Sequence, residues 1–285
     1  MARVVETLAA GRWGTYLLLM APYSLFYFLV DSLVVQQAVS WFNVRVPYRD
    51  ILPVRATTYI LSLINTQLGQ GGVAVYLHRR YGIPFWEITG TVVFIMFVEV
   101  YQLALYSFVG AAAAGELTTG RAPVVVYAVM AAYLVVHVVV FSYARWPALD
   151  RIRFFTAFRK ARPLHYLKLL LLKTPNLLAA VTVYWLAMRL FDIHVPFATL
   201  LTFLPLIFFF AALPIAAAHL GPSQAAWVLF LGHAAPEAKL LAFSLAAHLT
   251  FMLMNAVIGL AFLRRAAREL APDAPPTAAP APPRG

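Results

Sequence analysis

The stretch Thr66-Gln67-Leu68-Gly69-Gln70-Gly71-Gly72 interrupts an apolar region that runs from Ile51 to Arg80. A counterpart, Ala218-His219-Leu220-Gly221-Pro222-Ser223-Gln224, interrupts the region from Pro196 to His233. Glycine at such a place loosens a helix by adding backbone entropy, and proline does so because it lacks the amide donor. Inside hydrocarbon, a break of this kind persists only where protein buries it or where it lines a cavity. Each region is therefore expected to form a re-entrant hairpin, a helix in and a short helix back, the returns ending at His78-Arg79-Arg80 and at His233.

Around these hairpins lie five uninterrupted apolar runs: Trp13–Ala38, Phe85–Ala113, Pro123–Tyr143, Leu164–Leu190 and Ala235–Leu263. Each reaches the length of about 20 residues that a helix needs to cross a hydrocarbon core. Hydrophobic residues make up 62% of the chain and charged ones only 12%, whereas a soluble domain carries roughly 25% charged residues. The alternation of a β-barrel is absent. The first run carries Pro22 and Asp31 and exceeds the apolar core of a signal peptide, so it reads as a span. These features specify an all-α polytopic membrane protein.

Laying residue n over residue n + 152 places Leu52-Pro53 on Leu204-Pro205, Leu68-Gly69 on Leu220-Gly221 and Pro84 on Pro236, while Pro22 and Pro175 differ by one residue more. The Pro and Gly coincidences suggest two repeats of span, re-entrant hairpin, span. They cover about 12–113 and 164–264, joined by a connecting transmembrane helix over 121–145, within a single transmembrane domain over 1–270. The Pro- and Ala-rich tail over 271–285 reads as disordered.

Loop charge supplies the orientation. Arg145, Arg151, Arg153, Arg159, Lys160, Arg162 and Lys168 crowd one loop against the single acid Asp150, the mark of a cytoplasmic loop. This reading assigns the formal net charge of +11 to topology and to anionic-lipid contact, with no nucleic-acid role. Working outward, Arg45, Arg49, Arg55, Arg79 and Arg80 fall inside, the loop from Gly110 to Arg121 falls outside, and the last span runs in toward Arg264, Arg265 and Arg268. The hairpins then enter from opposite faces, the inverted plan of many transporters. The N-terminus falls outside and the C-terminus in the cytoplasm, most simply of a bacterial cell. Read instead as one helix, Leu52 to Gln67 is about 24 Å long; if it crosses, the count of spans rises toward seven.

The passage from Gln67 to Pro84, preceded by Arg55 and Tyr59, resembles the first motif of the lysylphosphatidylglycerol synthase transmembrane family of flippase-like domains. The passage from Leu213-Pro214 through His219-Leu220-Gly221-Pro222-Ser223-Gln224 to Trp227 is similar to that family's second motif, a glycine-rich turn before a short helix. The resemblance covers roughly Met20 to Leu263. Gly71-Gly72 and Gln224 stand where family members often carry carboxylates, and no soluble aminoacyl-transfer domain is recognised after Leu263. The resemblance thus implies the lipid-translocation half of such proteins: a transporter moving a phospholipid or lipid-linked molecule between leaflets through a midplane cavity between the hairpins. The alternative is a lipid-binding or scaffold membrane protein that transports nothing.

A translocator needs a polar route for a head group, and polar side chains inside a membrane are costly enough to point to function. The first cluster is Arg55, Asn65, Gln67, Gly69, Gln70, Gly71, His78, Arg79 and Arg80; glycine amides and half-helix N-termini there can bind phosphate oxygens. Arg79 and Arg80 read equally as interfacial anchors. The second cluster is His219, Gly221, Ser223, Gln224, His233 and Lys239, where Ser223 is also expected as a helix cap. Deeper lie Glu99 with Gln102 at i, i+3, His248 with Asn255 at i, i+7, and Lys173 beside Pro175. Glu99 has a structural reading too, as the partner of a cation such as Lys173. No HExxH, GxSxG or paired-aspartate motif occurs, and cysteine is absent, so neither an enzyme nor a metal or cofactor site is expected. The partners implied are membrane lipids with anionic phospholipid head groups, with a homo-oligomer or a separate soluble enzyme as further candidates.

Overall fold

A computed structural model describes residues 12–64, 66–115, 121–142, 151–212 and 221–269, all of them in helices or the turns between them. The expected tail over 271–285 lies outside the described residues. In chain order the helices are α1 (Trp13–Phe42), α2 (Tyr48–Ile64), α3 (Thr66–Tyr81), α4 (Phe85–Ala114), α5 (Arg121–Ser142), a short α6 (Thr156–Lys160), α7 (Pro163–Arg189), α8 (Phe197–Ala212), α9 (Pro222–Leu231) and α10 (Glu237–Glu269). Among the described residues, α1, α4, α7 and α10 are each long and apolar enough to cross a membrane. The connector run forms the 22-residue α5. The order of one long helix, two short ones and another long helix therefore occurs twice, with α5 and α6 between. Proline falls at matching places: Pro22 and Pro175 inside the leading helices, Pro53 and Pro205 inside the first short ones.

The chain divides into two compact units. The pair α2/α3 belongs wholly to one and the pair α8/α9 wholly to the other, whereas α1, α4, α5, α7 and α10 each contribute a part to both. We call the unit holding α8/α9 the first and that holding α2/α3 the second.

In the second unit the core is aromatic and β-branched. Phe94 meets Phe42, Phe158 and Tyr166 edge to face at centroid distances of 5.0, 5.5 and 4.8 Å, a geometry that aromatic quadrupoles favour. The short α6 docks here because Ala157 and Phe158 are buried and Lys160 donates to the Phe42 carbonyl at the end of α1 (2.8 Å). At Gly90 a side chain would collide with the Phe154 backbone, so glycine lets this loop lie directly on α4. On the other side of the unit, Gly259 of α10 sits against the Ala56 carbonyl and Ile60 of α2.

The glycine-rich stretch behaves differently from the expected break. It lies inside α3, which runs from Thr66 to Tyr81. Gly69 and Gly72 face α2: a β-carbon on Gly69 would strike Ser62 and the Thr58 carbonyl, and one on Gly72 would meet Leu61 and Thr58. Close approach of two antiparallel helices, rather than a turn, explains these two glycines. In the second motif the expected turn is present, since Gly221 has φ +106° and leads directly into α9.

In the first unit, Tyr184 stacks on Trp227 (11° between planes) and meets Phe208 and Phe243 edge to face. Ser107 of α4 donates to the Thr202 carbonyl of α8 at 2.6 Å, and Gly110 packs on the Leu201–Thr202 backbone. Small residues on α4 thus pin α8 in place.

Candidate functional site

The spans of the second unit enclose charge. Asp31 of α1 and Arg55 of α2 form an ion pair in which both side chains are almost fully buried. Asp31 Oδ2 accepts from Arg55 Nε at 2.8 Å, from Arg55 Nη2, and from the Tyr59 hydroxyl at 2.9 Å. The Arg55 guanidinium also lies 5.2 Å from the centre of the Tyr59 ring, where a cation–π attraction adds to the pair. Two charges taken out of water hold each other only when further hydrogen bonds satisfy them, and Tyr59 supplies one. Tyr59 also belongs to a buried cluster with Phe28 and Ala56, against which Leu52, Ile258 and Phe262 pack.

A second pair joins Glu99, near the middle of α4, to Lys173 of α7: Lys173 Nζ donates to Glu99 Oε2 at 3.0 Å. The two partners are unequally covered, the lysine side chain keeping 9% of its accessibility and the glutamate 44%. Tyr27, one turn before Asp31, packs against the buried cluster of Phe28, Ala56 and Tyr59. The result is a charge-balanced set, Asp31 with Arg55 and Glu99 with Lys173, of which the Glu99 carboxylate is the accessible pole.

A third network closes the ends of α2, α3 and α10. Arg80 Nη1 lies 2.7 Å from Glu269, Arg265 lies 2.8 Å from Glu269 and 3.4 Å from Asp50, and the Tyr81 hydroxyl donates to Asp50 at 3.0 Å. The Tyr76 hydroxyl donates to Glu269 as well.

The remaining residues singled out by sequence separate. Asn65 and His219 lie outside the described residues, as does the Gln67 side chain. Gly69 serves packing, a β-carbon on Gly71 would meet nothing within 4 Å, and Gln70 is half-buried on α3. His78 Nδ1 is 2.7 Å from the Ile83 carbonyl and fastens the turn after α3, while Arg79 is exposed. In the first unit, the Gln224 side chain accepts from the Gly221 amide at 2.6 Å; the cap of α9 is thus made by Gln224 and not by Ser223, which is buried. His248 is half-buried on α10. Gln102 is buried with its Nε2 unpartnered among the described residues, as are Ser32 Oγ and Asn255 Oδ1.

Sequence reasoning missed Asp31, Tyr59 and Tyr27 as site residues. Asp31 carried a usable signal, as the sole charge in the 30 residues of α1, because an acid within a span calls for a partner. The first unit offers a contrasting feature, an apolar groove of about 340 Å³ lined by Leu18, Pro22, Tyr23 and Phe26 of α1 and Ala179 and Val183 of α7.

Residues 1–259 match the family described as Lysylphosphatidylglycerol synthase TM region. The chain belongs to this family. Among curated proteins none matches it. Membership covers both short-helix pairs and all four long helices, apart from the last turns of α10. In this member of the family, the charges inside the second unit come from α1, α2, α4 and α7, and the glycines of the first motif serve mainly to bring α3 onto α2.

Proposed function

We propose that the protein is a flippase-like lipid transporter of the bacterial cytoplasmic membrane. It moves a phospholipid or lipid-linked molecule between leaflets, with its head group passing the Glu99–Lys173 and Asp31–Arg55 pairs. The observation that carries this reading is a set of four charged side chains on three long helices and the short α2, paired within one unit of a chain of this membrane family. Such groups are too costly in hydrocarbon to be retained without a use. The apolar groove between α1 and α7 suits an acyl chain, since it offers almost no polar lining.

The doubled element order supports two repeats of span, re-entrant hairpin, span. The distribution of charge supports an orientation. Among the described residues the second unit holds 15 Lys and Arg against 5 Asp and Glu, the first 4 against 2. The positive-inside rule then turns the α2/α3 ends and the C-terminal end of α10 toward the cytoplasm.

The test is transport by purified protein in liposomes carrying a leaflet-specific fluorescent phospholipid. Wild-type protein is expected to move the probe faster than empty vesicles, and E99Q/K173M, which removes one pair without leaving a lone charge, is expected to abolish the gain. Equal rates for wild-type protein and empty vesicles across anionic and zwitterionic probes would reject transport.

A further inference from the structure

The unequal burial of Glu99 and Lys173 reaches beyond the path itself. Lys173 is the covered partner, and among the described residues Glu99 is the one anion within ion-pair distance of it. An ammonium held in a low-dielectric span requires one negative partner; with none it is an uncompensated charge, and with two an excess anion is stranded. The Glu99 side chain keeps 44% of its accessibility against 9% for Lys173, and its Oε2 holds the ammonium at 3.0 Å, so a competing anion must displace Glu99 to take over that contact.

Other charged and titratable groups nearby do not relieve this constraint. Asp31 is already engaged by Arg55 and Tyr59. Tyr27 of α1 packs against the buried cluster of Phe28, Ala56 and Tyr59. On the α5 side, Tyr133 stacks on Phe97, two residues before Glu99, and His137 shares a hydrogen bond with the Tyr166 hydroxyl.

We propose that Lys173 is a phosphate site whose occupation is coupled to protonation of Glu99. This rests on the transport reading above and supplies its ion. When a phosphate oxygen takes over the Lys173 ammonium, Glu99 leaves as the neutral acid, having taken one proton from water. When the phosphate departs, Glu99 gives that proton back and closes on Lys173 again. One proton therefore travels with each anionic head group, and the exchange leaves the net charge of the pair with its ligand unchanged.

Binding of phosphatidylglycerol in nanodiscs, and separately of inorganic phosphate to detergent-solubilised protein, tests this between pH 5 and 8. Wild-type affinity for the lipid is expected to fall by up to about tenfold per pH unit as Glu99 resists protonation, and E99Q, fixed in the neutral form, is expected to bind tightly with a flat profile. Inorganic phosphate binding with the same profile would assign the site to the phosphate group alone; lipid binding without it would show that the acyl chains are also needed. Both support the site. Should E99Q not fold, proton uptake by wild-type protein replaces it, with one proton expected per lipid bound. A flat wild-type profile, or no proton uptake on binding, overturns the coupling even if liposome transport is intact. Absent transport alongside pH-linked binding rejects the transport reading and leaves the site standing.

Discussion

Asp31 Oδ2 collects three donors from Arg55 and Tyr59, and both charged side chains are almost fully buried. Removing either charge strands the other, a loss of about 3–5 kcal/mol where a buried pair is broken on one side. D31N and R55M should each lower the thermal unfolding temperature in detergent sharply, while D31N/R55M should recover much of the loss. A double variant no more stable than the worse single one would mean that the pair is not held as described. Arg55 and Glu99 were legible in the sequence because charge within a span is conspicuous. Their partners were less so: Glu99 with Lys173 was one of several readings, and Asp31 with Arg55 was not drawn, because pairing depends on the rotation and register of separate helices, which apolar composition leaves unspecified.

Packing between helices explains why the first glycine motif was misread. Local propensity makes Gly69-Gln70-Gly71-Gly72 a poor helix, yet α3 runs through it, because contact of Gly69 and Gly72 with α2 outweighs the propensity cost. Gly69 and Gly71 should therefore respond differently to one added methyl group. G69A is expected to destabilise the protein, since its β-carbon would meet the Thr58 carbonyl and Ser62. G71A meets nothing and should be neutral or stabilise by about 0.5–1 kcal/mol through lost backbone entropy. Thermal melting of both variants checks this; similar losses for the two would place Gly71 in an uncharted contact. The second motif was more legible, because a Gly-Pro dipeptide announces a helix start whatever the neighbours do. Even there the capping side chain proved to be Gln224.

For the whole molecule, the doubled order of long, short, short and long helices was readable from apolar runs and proline spacing. The network of Asp50, Arg80, Arg265 and Glu269 was not, because it joins residues more than 180 positions apart in some pairs. The sequence contains no cysteine, so single cysteines can be introduced without background. Arg79→Cys, Arg153→Cys and Arg268→Cys are expected to react with an impermeant maleimide from one face of the membrane, and Gly115→Cys and His194→Cys from the other. Labelling of Gly115→Cys and Arg79→Cys from the same face would dismantle the inverted arrangement.

If head groups cross past a charged path within the spans, the rate at which a fluorescent phospholipid changes leaflet must depend on that path. It is measured in liposomes holding wild-type protein, beside E99Q/K173M at equal reconstitution. A wild-type rate above that of empty vesicles, returned to their level by the double variant, is the expected result; equal rates for wild-type protein and double variant would refute passage along these pairs.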